Sequence, residues 1–79
     1  MKEDQAIKRL SELCQENKLV LGIDVVVGDI FAHVSYEHGQ AIKSEIIKKI
    51  TNLPFKLSFV SITNDKRPVI YFSLDRTRL

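Results

Sequence analysis

Asp24 and His33 are the residues of this chain whose types and spacing point most directly to chemistry. They stand in GIDVVVGDIFAHV, residues 22–34, as polar members of two apolar arms that meet at Gly28-Asp29. A carboxylate that hydrogen-bonds an imidazole orients it and favours its charged form, which is what a general base needs. If Gly28-Asp29 is a two-residue hairpin turn, the flanking strands pair with Asp24 directly opposite His33. Ser35 then shares their face, which completes the residue types of an acyl-transfer triad. The chain has no G-x-S-x-G nucleophile elbow and no evident oxyanion loop. A polar cross-strand pair on a solvated face is the simpler reading, and no catalytic residue is assigned.

Other chemistry is weaker. The run His33-Val-Ser-Tyr-Glu37-His38 is neither H-E-x-x-H nor H-x-x-E-H, and in a strand His33 and His38 point to opposite faces. His33-x-Ser35 matches half of a two-histidine phosphoesterase signature whose second half is missing. Cys14 is the single cysteine, so neither an internal disulfide nor a Cys-x-x-Cys zinc site is available. It falls on an apolar helical stripe, where a buried thiol is inert. No Walker A, G-x-G-x-x-G or KH-type G-x-x-G loop is present. No metal and no cofactor is expected.

The elements that must position Asp24 and His33 follow from hydrophobic periodicity. Residues 3–17 place Ala6, Ile7, Leu10, Leu13 and Cys14 at three- and four-residue spacing, a helical stripe. Residues 19–27 and 30–37 read as strands of a hairpin. In the register of a 28–29 turn, Val27 faces Ile30, Val25 faces Ala32, Ile23 faces Val34 and Leu21 faces Tyr36, a buried face. Val26–Phe31, Asp24–His33, Gly22–Ser35 and Val20–Glu37 form the other face. A second helix is expected over about 40–51, with Ile42, Ile46, Ile47 and Ile50 on one side. It ends before Pro54, which cannot continue a helix. Residues 55–63 and 68–75 read as two more strands, joined by the polar turn Asn64-Asp65-Lys66-Arg67. Phe55, Leu57 and Phe59 share one parity of the third strand and Val60 and Ile62 the other, so a bulge or a two-sided setting is expected. The outward set then holds Val69, Tyr71 and Ser73, with Val60 and Ile62 as candidate additions. The tail 76–79 is expected to fray.

The element order αββαββ is a circular permutation of the ferredoxin-like βαββαβ order. The expected fold is therefore α+β: a two-layer sandwich with a four-stranded, mainly antiparallel sheet and both helices on one face. The second and fourth strands would be central, with His33 near Tyr71. Seventy-nine residues make a single small domain with a modest core, and no linker or domain boundary is visible.

Net charge is +2 with a sequence pI near 8.8, well short of a chain built to wrap nucleic acid. The start, Met1-Lys2-Glu3-Asp4-Gln5, lacks the apolar region of a signal peptide, and no apolar run approaches a membrane span. A cytoplasmic, non-membrane protein is expected.

The sharper clue is the outer sheet face, which carries Val26, Phe31, Val69 and Tyr71 beside Asp24 and His33. Apolar side chains on the side that should be wet mark interaction surfaces. The expected function is a non-catalytic protein-interaction module that self-associates as a homodimer or binds and occludes a partner protein through this face. Strand pairing at an edge, 19–27 or 55–63, is a second route. The alternative is single-stranded RNA binding on the same face. Phe31 and Tyr71 would stack bases there, and Lys56, Lys66 and Arg67 would hold phosphates.

Overall fold

The computed structural model describes residues 1–79. Its elements run α1 (Glu3–Glu16), β1 (Leu19–Val26), β2 (Asp29–Tyr36), α2 (Ser44–Asn52), β3 (Phe55–Ile62) and β4 (Pro68–Leu74), followed by a 3₁₀ turn at Arg76–Arg78. The four strands form one antiparallel sheet in the order β1-β2-β4-β3, and with the two helices they make an α+β two-layer fold.

The stripe read from sequence is the buried side of α1: Ala6, Leu10 and Cys14, each four residues apart. At its start the Gln5 side-chain Oε1 accepts the Lys2 backbone amide at 3.0 Å, and Glu3 and Asp4 sit at the positive end of the dipole. At its end the Asn17 side-chain amide donates to Leu13 O at 2.8 Å, and Lys18 turns the chain with φ 58°. The second helix begins later than its periodicity suggests. Residues 40–43 are not helical, and Ile42 reaches the core from this extended segment. Tertiary burial overrides helical pattern there.

The first hairpin differs from the expected register. Val27 and Gly28 form the turn, both at positive φ (50° and 81°), as the mirror-image type I′ turn requires. Asp29 becomes the first residue of β2 and pairs with Val26. Left-handed backbone is costly for β-branched Val27. Arg76 braces the turn and ties it to α1. The Arg76 guanidinium donates to Gly28 O at 2.9 Å, lies 3.8 Å from Asp29 and bonds Glu3 at 2.9 Å. The shift is by two positions, so every side chain keeps its face while its direct partner changes.

The second hairpin contains the bulge foreshadowed by its pattern, between Leu57 and Phe59. Phe59 pairs with Tyr71 on the outer face, whereas Val60 and Ile62, opposite Ile70 and Pro68, return to the helix side. Those two are therefore not outward residues. The Thr63 amide donates to Arg67 O, so hydrogen-bonded pairs alternate inward from it through Ser61–Val69 and Phe59–Tyr71. Pro68 falls in a non-bonded pair, where its missing donor is not needed.

The core lies between the layers. Phe55, Phe72, Leu10, Ile50 and Val34 are fully buried there, and each such side chain contributes roughly 1.5–3 kcal/mol. The apolar face of β1 is only partly covered: Val25 is 68% exposed at the hairpin end, and Val27 protrudes into solvent. The tail also departs from expectation. Arg78 donates to Thr51 O at 2.6 Å and Phe55 O at 3.2 Å, and Asp75 caps the turn by accepting from the Thr77 amide. No helix is long and apolar enough to cross a membrane.

Candidate functional site: an aromatic row on the outer sheet face

Strand register lays out the face opposite the helices as a grid. Gly22, His33, Tyr71 and Phe59 form one transverse row across β1, β2, β4 and β3. Asp24, Phe31, Ser73 and Lys56 form the next row toward the first hairpin. On the other side Val20 pairs with Ser35, and Val69 with Ser61.

Asp24 and His33 do meet, though not as direct partners. Asp24 is opposite Phe31, and His33 is opposite Gly22. His33 crosses diagonally so that its Nε2 lies 3.2 Å from Asp24 Oδ2. Gly22 makes this possible, because a Cβ there would occupy the place of the imidazole ring. An exposed pair of this kind contributes little stability, about 0.2–1 kcal/mol. No hydrogen bond joins Ser35 to His33, and Ser35 is buried. No group of three or more His, Cys, Asp or Glu side chains is placed to hold a metal ion.

Beyond His33 the row is aromatic. The His33 and Tyr71 rings are 5.3 Å apart and tilted by 34°. Tyr71 and Phe59 are stacked at 4.4 Å and 12°. Because β2 and β3 flank β4, His33 and Phe59 cover Tyr71 from opposite sides. Tyr71 is half-buried in consequence, while Phe59 at the edge remains 51% exposed. Beside the row a cleft of about 170 Å³ opens between Asp24, Val26, Phe31, Phe59 and Tyr71. Four of these five residues are apolar or aromatic.

Of the residues singled out from sequence, Asp24, Val26, Phe31, His33 and Tyr71 are brought together here. Val69 is not available as a contact. It is 7% exposed and lies outside the main core cluster. Phe59, which strand parity groups with Phe55 and Leu57, joins the outer-face site through the bulge instead. The broken alternation in FKLSFVSI was its only sequence signal. The cations proposed for RNA are dispersed. Lys56 is level with Phe31, whereas Lys66 and Arg67 lie in the β3–β4 turn. Five strand residues, a span of roughly 20 Å, separate that turn from the Phe31 row. Cys14 is a core residue whose thiol burial pushes up to about 11.

No protein-family model matches the chain, and no match emerges among curated proteins or solved structures.

Proposed function

We propose that this protein is a non-catalytic protein-interaction domain whose outer sheet face receives apolar side chains of a partner protein. The observation that carries this reading is the cleft formed by Val26, Phe31, Phe59 and Tyr71 on the side of the sheet that no helix covers. An unpaired apolar surface is stabilised by burial against a partner. Asp24 and His33 supply a polar border that would orient such a partner.

Single-stranded RNA on the same face has less support. Base stacking needs an open ring face, and Tyr71 is stacked on Phe59 with the tilted His33 ring beside it. The face also carries Asp24 and Asp29, and the cations are split between two ends of the sheet.

The reading is tested with immobilised wild-type chain and Phe31→Asp in cell extract, alongside a fluorescent oligouridine titration at low salt. A partner protein retained by wild type and lost in Phe31→Asp, whose fold is checked by circular dichroism, is the expected outcome. Retention of the same partners by both chains refutes the assignment of this face. Salt-dependent oligonucleotide binding that weakens in Tyr71→Ala would favour the RNA alternative.

A further inference from the structure

The β3 edge is a second surface, which meets the outer face only at Phe59. Because the bonded pairs on β3 run through Thr63, Ser61 and Phe59, the amides and carbonyls of Val60 and Ile62 point away from β4 to the open edge. Their side chains lie on the helix side of the sheet, yet they are 58% and 63% exposed, so neither helix covers them. Native edge strands are normally guarded by charge, proline or a bulge. Here the bulge sits at Leu57–Phe59, and the run from Phe59 to Thr63 has no charge and no proline. The opposite edge, β1, contains Gly22 and Asp24. The unguarded segment is thus short, regular and apolar on its uncovered side.

We propose that this segment pairs with its own counterpart in a second copy of the chain, antiparallel, about a two-fold axis at Ser61. In that register Val60 faces Ile62 of the other copy and Ile62 faces its Val60. Both are hydrogen-bonded pairs, so four backbone bonds form from groups left free in the monomer. The four side chains make one apolar cluster on the side the helices leave open. Ser61 meets its own counterpart across the axis, and Phe59 meets Thr63, so no charge opposes a like charge. The bulge stays outside the paired segment. The two four-stranded sheets join into one of eight strands, with both outer faces still accessible.

A pairing this short buries less than the roughly 1,200 Å² at which stable interfaces begin. The dimer is accordingly a weak one, to be sought at high protein concentration.

Sedimentation equilibrium of the full chain from about 5 to about 500 μM tests this. Wild type shifts from monomer to dimer mass across that range. Ile62→Lys, at an exposed position, raises the dissociation constant at least about tenfold by placing ammonium groups in the apolar cluster. Val60→Pro removes an outward amide that has no bond within the chain and also leaves a monomer. If that variant fails to fold, Ile62→Lys still decides. Phe31→Asp leaves the dimer intact, which separates this surface from the outer face. A wild type that stays monomeric at the highest concentration overturns the proposal. So does a dimer that survives Ile62→Lys or dissolves in Phe31→Asp.

Discussion

Gly22→Ala should destabilise the wild-type chain and stabilise a chain that lacks the His33 ring. In the wild type a Cβ at position 22 collides with the imidazole, which must swing off β1. The ring then loses its 3.2 Å contact with Asp24, about 0.2–1 kcal/mol for a pair this exposed. It also disturbs the packing against Tyr71, about 0.5–1 kcal/mol. An off-rotamer side chain costs roughly 0.5–1.5 kcal/mol more. Against these, replacing a strand glycine by alanine removes conformational freedom from the unfolded chain and gains about 0.4–1 kcal/mol. The net change is a loss of about 1 kcal/mol, or roughly 4–8 °C in Tm for a domain of this size. In a His33→Ala background the costs vanish and the gain remains, so Gly22→Ala raises stability there. Urea unfolding of the wild type, both single variants and the double variant measures the coupling, expected at about 1.5–2 kcal/mol. The His33 imidazole proton resonances, followed by NMR, report whether the ring has moved. Additive single effects, with unshifted His33 resonances in Gly22→Ala, would refute the claim that this glycine exists to let the ring cross the strand.

Two further outcomes follow from the tail and the core. The Thr77 side chain and amide hold the Asp75 carboxyl below its ordinary value of 3.8. A carboxylate lowered in the folded state stabilises above its unfolded pKa and loses that contribution as pH falls through the folded value. Stability measured by urea unfolding should therefore drop as pH falls below about 3.8, and Asp75→Asn should shallow that drop. A pH dependence identical in the variant would show that the Asp75 cap has no energetic role. Cys14, with its thiol raised to about 11 and its side chain in the core, should resist a disulfide exchange reagent at pH 8 until urea unfolds the chain. Rapid labelling of the native protein would contradict the burial of α1 against the sheet.

Pattern alone determined the larger part of the architecture. Spacings of three and four in residues 3–17 and the period-two runs elsewhere mark which face of each element is apolar, because helix and strand have different periods. The αββαββ order then made a two-layer α+β fold the economical arrangement, with His33 near Tyr71. Asp24 and His33 share a face in either register, since a slip of two positions preserves parity. What periodicity does not carry is which of two adjacent turns a hairpin adopts. The observed turn, Val27-Gly28, is one that Arg76, distant in sequence, braces through Gly28 O and Asp29. The bulge that moves Phe59 onto Tyr71, the burial of Val69 and the anchoring of residues 76–78 likewise depend on partners far along the chain. The polar pair was visible in the residue types. The open space over Gly22 that lets the pair form, and the ring stack that continues it across the sheet, exist only once four separate strands lie side by side.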